Sequence, residues 1–336
     1  MTRHVRKALV YLLKLVVAAA LLWWAFHDVQ WSRLGERLLG ANWPLLALAT
    51  AGFLLPVFTM AVRWWYLLRA QQIRLPFRET IRLTFLGQFL GFVVPGMVSG
   101  DLIKAWYAFQ HTDRKAAAVV SVFVDRAAGL AAFAIVPALV MAVMIAMGTP
   151  LGELALPATI VAVVLAGLVV AAAVLLSRRL RKALRLDRII ARLPLQQQVK
   201  LTGEAVRLYG RRWPVVAGAL GITFVGQAIF VTAVMMAGEA LAPQIPWHRY
   251  YIYVPLIYII AAVPISPGGI GVIEACFVKF FAVGAVTDAD AIAVALAARV
   301  LPMLCSLPGL IVAVTGAKLP KAEQMQAEIG AGTPDA

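Results

Sequence analysis

Six stretches of this chain are each long and apolar enough to form a helix that crosses a bilayer. They lie at about 8–26, 44–62, 127–147, 154–176, 214–236 and 291–316. A hydrocarbon core about 30 Å thick takes roughly 20 apolar helical residues, and these runs reach that length. With 62% apolar and only 14% charged side chains over 336 residues, the chain holds more hydrocarbon than one water-soluble core can hide. A soluble enzyme is excluded. The first run leads into Trp23, Trp24, His27 and Asp28 rather than a small-residue cleavage site, so it reads as a permanent helix and not a signal peptide.

The cations say how the helices are oriented. Lys and Arg number 31 against 16 acids, a formal net charge of +15. Such an excess suits nucleic acid, an anionic bilayer face or an anionic substrate, but here it follows the topology. Arg3, Arg6, Lys7 and Lys14 lie before or at the first run, and Arg63, Arg69, Arg74, Arg78 and Arg82 follow the second. The heaviest load falls in 178–212, where Leu and Ile alternate with Arg and Lys as in a helix lying on an anionic leaflet. Intervening loops are poor in cations, holding Arg33, Arg37 and Arg249. The positive-inside rule therefore places both termini in the cytoplasm of a bacterial inner membrane, with no nucleic-acid partner. Trp64, Trp65 and Tyr66, and likewise Trp247, Tyr250, Tyr251 and Tyr253, read as interfacial belts.

That orientation leaves two stretches, 81–126 and 250–285, that cannot each make one net crossing. Both must dip and return, or cross twice. Each is interrupted by Pro and Gly: Pro95-Gly96 and Gly100 in the first, Pro264, Pro267, Gly268, Gly269 and Gly271 in the second. Broken backbone at membrane depth survives only where protein or a wet cavity surrounds it. Pro95 aligns with Pro264 and Gly100 with Gly269, in halves of opposite predicted orientation, which leaves an inverted repeat open. The predicted fold class is all-α: a polytopic transmembrane helical bundle with two broken or re-entrant helical hairpins. It spans 1–317, includes the basic segment 178–212, and is followed by a short polar cytoplasmic tail at 318–336.

Ionisable residues inside such helices cost about 2.5–3.5 kcal/mol each on the insertion scale, so each is a functional candidate. The candidates are Asp101 and Lys104 after the first break, Asp125 and Arg126 between two apolar runs, Glu274 after the second break, and Arg299 in the last run. Arg299 is about nine residues in, or roughly 13 Å, too deep to snorkel. Asp125 and Arg126, being adjacent, point about 100° apart and need different partners. Gly268, Gly269 and Gly271 precede a helix whose first N–H groups suit a phosphate or carboxylate, although they serve equally to reverse the chain. Paired charges that only hold helices together are the competing reading. Cys276, Cys305 and four scattered histidines build neither a disulfide framework nor a metal site, and no cofactor or catalytic residue is expected.

The run Gly87-Gln88-Phe89 to Pro95, Gly100-Asp101 with Lys104, Asp125-Arg126-Ala127-Ala128-Gly129, Pro264 to Glu274, and Arg299 with Pro302 resembles the lysylphosphatidylglycerol synthase transmembrane-region family. The resemblance covers nearly the whole chain, with the second Pro-Gly-rich motif and its Glu the most specific part. Where the family commonly shows Arg soon after Gly-Asp, this chain has Lys104, which keeps the charge without the bidentate fork. The resemblance implies a module that moves lipids, notably aminoacylated phosphatidylglycerol, between leaflets. About twenty residues follow the last predicted helix, so no synthetase domain is expected.

The expected function is translocation of a phospholipid or lipid-linked anionic headgroup. A phosphate would rest against Arg299 and Arg126, with Lys104 assisting, while Asp101 and Glu274 would gate the cavity, balance its charge or receive the headgroup amine; Asp125 is a further substrate-binding candidate. The rivals are a membrane transferase acting on a lipid-linked substrate, and a non-transporting assembly partner. The lipid, the energy source and self-association into a homo-oligomer stay open.

Overall fold

The computed structural model describes residues 31–93, 99–110, 112, 115–176, 213–263 and 266–315, with positions 12, 16, 20 and 22–24 of the first apolar run. Most of the predicted helix 8–26, the basic segment 178–212 and the tail 318–336 lie outside the described residues, as do Pro95 and Pro264. Among the described residues every regular element is helical, and the protein is an all-α polytopic membrane bundle.

Twelve helices make up the described part: α1 Trp31–Leu39, α2 Trp43–Gly52, α3 Leu54–Ala70, α4 Phe77–Val93, α5 Ser99–Gln110, α6 Lys115–Ala146, α7 Leu151–Leu176, α8 Trp213–Leu241, α9 Trp247–Ala262, α10 Val272–Phe281, α11 Asp288–Cys305 and α12 Pro308–Thr315. Five stretches are long and apolar enough to cross a membrane: Trp43–Ala70, Val124–Ala146, Leu154–Ala171, Trp213–Leu241 and Asp288–Thr315. They coincide with five of the six predicted runs.

Two of these spans differ from the sequence reading in an informative way. The predicted 44–62 run continues to Ala70 and bends at Phe53, so Arg63 is not a loop cation but a residue inside α3, 6% exposed. Apolar side chains on both sides of it (Ala61, Trp64, Leu67 and Leu68 are fully buried) carry the helix past the charge. Trp64 and Tyr250 are likewise core residues, not interfacial anchors, each with no exposed surface. The last run is broken, since α11 ends at Cys305 and α12 restarts at Pro308, where proline suits a first helical turn.

The two Pro-Gly segments each lie between helices that pack on one another. α4 packs against α5, and α9 packs against α10, which also packs against α11. Each hairpin has its own core. Around the first, Trp64, Leu68, Leu86 and Ile103 join α3, α4 and α5. Around the second, Tyr250, Phe277, Phe281 and Val294 join α9, α10 and α11 with α8.

The long α8 packs on α2, α3, α6, α9 and α11, and so ties the two halves together. It can approach α3 closely because position 226 is glycine: a Cβ there would stand 2.3 Å from Thr59 Oγ1. On the other side α12 closes on α4 through Gly309, where a Cβ would stand 2.2 Å from the Phe85 carbonyl oxygen. Short α1 is moored to the start of α11. Asp290, 1% exposed, faces Arg37 Nε across 2.6 Å and accepts from Gln244 Nε2 at 2.8 Å and from the Thr287 backbone at 3.0 Å. Apolar side chains such as Val163, Val169, Ile311 and Val314 cover the outside, as a bilayer-facing surface requires.

Candidate functional site

A cavity of about 500 Å³ lies between the halves, and α3, α4, α5, α6, α8, α9 and α11 all contribute to its wall. Most of the lining is apolar. Phe53, Phe230, Tyr258 and Phe133 form one continuous aromatic face, with successive ring centroids 5.8, 5.1 and 6.0 Å apart. Polar groups gather in two clusters, one in each half.

The first cluster centres on Arg63. Its Nε donates to Asp125 Oδ1 at 2.5 Å, and its Nη1 donates to Thr223 Oγ1 at 3.1 Å. Thr223 Oγ1 in turn donates to the Ala219 carbonyl at 2.6 Å, so three helices meet in one chain of hydrogen bonds. With Asp125 3% exposed, the pair is out of water on both sides. Neither charge could remain there alone, since an unpartnered buried ion costs several kcal/mol. Arg126, the next residue, turns away by the helical step, is exposed and lines the cavity. Lys104 on α5 is 3% exposed; its Nζ stands 5.3 Å from the Trp64 ring centroid, and it too faces the cavity.

The second cluster is built on the second break. Gly268, Gly269 and Gly271 have φ of 60°, 68° and 81°, a region costly for any residue with a Cβ, so glycine here is a backbone requirement. The resulting tight turn points carbonyls at α11. Arg299 Nη1 donates to Gly268 O at 3.3 Å and Nη2 to Gly269 O at 3.0 Å. Its Nε reaches Glu274 Oε1 at 2.5 Å, and Nη2 also reaches Glu274 Oε2 at 3.1 Å. Four of the five guanidinium N–H groups are thereby engaged.

Glu274, 2% exposed, closes the loop by accepting from the Gly271 N–H at 2.8 Å. The helix start expected to receive an outside anion thus carries the chain's own carboxylate. The partial positive charge of that helix end and the Arg299 guanidinium both face this carboxylate.

Of the residues proposed from sequence, Lys104, Asp125, Arg126, Arg299 and Gly268 line this one cavity. Glu274 stands directly behind Arg299. Gly269 holds Arg299 from the turn. Asp101 falls on α5, and its side chain lies outside the described residues. Sequence reasoning missed Arg63, Thr223, Gln227 and Tyr258, all of which line the same space. Arg63 had a readable signal, an apolar run continuing on both sides of a charge. The uncharged residues had none.

The family model for the lysylphosphatidylglycerol synthase TM region matches residues 11–309. The chain belongs to this family. No curated protein matches the chain. The lysylphosphatidylglycerol synthase TM region is a membrane domain linked to lipid modification or flipping, which places this protein in a membrane-lipid context. The matched stretch encloses both hairpins and every described residue lining the cavity.

Proposed function

We propose that this protein moves a lipid with an anionic headgroup from one leaflet to the other, passing the headgroup through the cavity while the acyl chains stay in the bilayer. The observation that carries the reading is the charge of the wall. Arg63, Lys104, Arg126 and Arg299 all line it, together with Asp125. A cationic cavity inside apolar helices lowers the cost of carrying a phosphate through hydrocarbon, where an ion otherwise pays its full desolvation.

Both hairpins act as re-entrant elements in this reading. At 1.5 Å per residue, the 12 residues of α5 and the 10 of α10 rise only about 18 and 15 Å, short of a bilayer core of about 30 Å. The second break then lies near mid-depth, where the cavity wall surrounds the interrupted backbone. The distribution of cations orients both termini toward the cytoplasm of a bacterial inner membrane.

Arg126 receives the phosphate first, because its side chain is exposed at the cavity wall. A phosphate that reaches Arg299 competes with Glu274 for the same fork. Displacing Glu274 frees the Gly271 N–H and slackens the turn, so arrival of the headgroup and opening of the second break become one event. Lys104 assists from the other hairpin, and Asp125 holds Arg63 in place.

The test is redistribution of a leaflet-labelled anionic lipid in vesicles containing wild type, Arg126→Ala, Arg299→Ala or Glu274→Ala protein. Wild type is expected to equilibrate the label well above the protein-free rate, and each variant to fall at least tenfold. Equal redistribution in protein-containing and protein-free vesicles refutes translocation of that lipid.

A further inference from the structure

Proline interrupts α11 at Pro302. In an α-helix the carbonyl of one residue takes the N–H of the residue four places on, so Pro302, which has none, leaves the Ala298 carbonyl without its helix donor. Ala298 is 1% exposed, and a buried carbonyl needs a partner from within the protein. The partner comes from another helix: Tyr258 Oη on α9 donates to Ala298 O at 3.0 Å. Proline also sits inside α6 at Pro137 and inside α9 at Pro255. Among the described residues no side chain donates to the carbonyls four places before these, on Phe133 and Tyr251. The substitute bond is particular to α11.

The Tyr258 hydroxyl is aimed by its ring. Phe133 of α6 stacks on that ring with centroids 6.0 Å apart, and Phe230 of α8 meets it edge-on at 5.1 Å. What the hydroxyl holds is the segment that carries Arg299. Arg299 follows Ala298 directly, and its fork engages Glu274, Gly268 and Gly269. Beyond Pro302 the chain is held by different contacts: Cys305 Sγ donates to Thr50 O at 3.2 Å, and α12 closes on α4 at Gly309. Pro302 thus divides α11 into a part tied to the second break and a part tied to α2 and α4. Helices kink where proline removes a bond from the ladder. A pivot at Pro302 moves Arg299 against its partners unless the Ala298 carbonyl is held.

We propose that Tyr258 is a positioning residue: its hydroxyl takes the place of the backbone donor that Pro302 removes, and so sets where Arg299 meets the second break. Tyr258, Ala298, Arg299 and Pro302 all line the cavity wall. The assignment takes its physiological sense from the translocation reading, although Tyr258 is given no contact with the lipid. A bond made by a side chain of α9, unlike the backbone bond it replaces, couples the position of α9 to that of Arg299.

The experiment asks whether the hydroxyl matters only while residue 302 lacks an N–H. Tyr258→Phe keeps the ring and its stacking. Pro302→Ala and Pro302→Leu each restore the backbone donor, so the test stands if one of them does not fold. In the full chain carrying Ser266→Cys, thiol modification at position 266 is followed in detergent by mass spectrometry, and redistribution of leaflet-labelled phosphatidylglycerol is followed in vesicles. Tyr258→Phe is expected to speed modification about fivefold and to slow transport by a similar factor. Joined to either substitution at 302, it is expected to change neither rate by more than about twofold relative to that substitution alone. Modification as slow in Tyr258→Phe as in the Ser266→Cys parent overturns the assignment. So does the same acceleration whatever residue stands at 302, as when the hydroxyl serves packing in general, and so does unchanged transport in a protein that otherwise moves the lipid. If the modification rates behave as expected and no variant or parent moves the lipid above the protein-free rate, the translocation reading fails and the positioning role of Tyr258 stands.

Discussion

Arg63 Nε and Asp125 Oδ1 lie 2.5 Å apart although 62 positions separate the residues in the chain, and both side chains are withdrawn from solvent. The contact ties α3 to α6, and through Thr223 to α8, at the wall of the cavity. A buried ion pair seldom adds net stability over apolar residues of similar size, yet breaking it from one side is costly. Arg63→Leu alone is therefore expected to destabilise the protein by about 3–5 kcal/mol, and Arg63→Leu with Asp125→Leu to return close to wild type. Thermal unfolding of the single and double variants in one detergent, arranged as a double-mutant cycle, measures this. A double variant as unstable as the single one would show that the pair is not the coupled unit.

Arg126 makes the opposite prediction. It is exposed at the cavity, so Arg126→Ala is expected to cost far less stability than Arg63→Leu while transport falls. Unfolding midpoint and vesicle redistribution, measured on the same preparation, separate the two. A large loss of stability would make Arg126 a structural residue.

Arg299 grips the second break with a planar fork, and that geometry is beyond an ammonium. Arg299→Lys keeps the charge but cannot serve Glu274, Gly268 and Gly269 together. The expected result is a looser turn, read as faster modification of a cysteine placed at Ser266, which is 6% exposed in the intact protein. Glu274→Gln should act in the same direction. Labelling as slow as in the parent Ser266→Cys protein would mean the turn holds itself without the guanidinium.

The α3–α8 contact depends on the absence of a side chain. Gly226→Ala puts a Cβ about 2.3 Å from Thr59 Oγ1, so one helix must move; the expected loss is about 1–3 kcal/mol. Thr59→Ala removes the hydroxyl and should recover part of that loss. Unfolding midpoints of the three variants test the compensation, and independent, additive effects would contradict it.

How much of this was legible beforehand varies with the kind of residue. The long spans could be read because the bilayer imposes a length and a hydropathy on each helix independently of its neighbours. The second break could be read because Pro and Gly change the backbone locally. Lys104, Asp125, Arg126, Glu274 and Arg299 stood out because a charge in apolar sequence is expensive wherever it points. Arg63 was misplaced in a loop because the span was ended at the charge, while the apolar side chains beyond it kept the helix going to Ala70. Trp64 and Tyr250 were read as interfacial anchors because amphipathic rings near a span end favour that position, and tertiary packing overrode the preference.

The amino-acid sequence by itself determined the helices, their breaks and the list of costly charges, since each of those follows from local chemistry in a solvent that forbids unpaired backbone. Which charge meets which was decided only by the tertiary structure. Asp125 could have paired with any cation in reach, and Glu274 could have left its helix start open to an outside anion. Close approach at Gly226 and Gly309, and the carbonyls turned out by three left-handed glycines, set the partners instead. Pairing depends on distances between segments far apart in the chain, and no periodicity or composition records those distances.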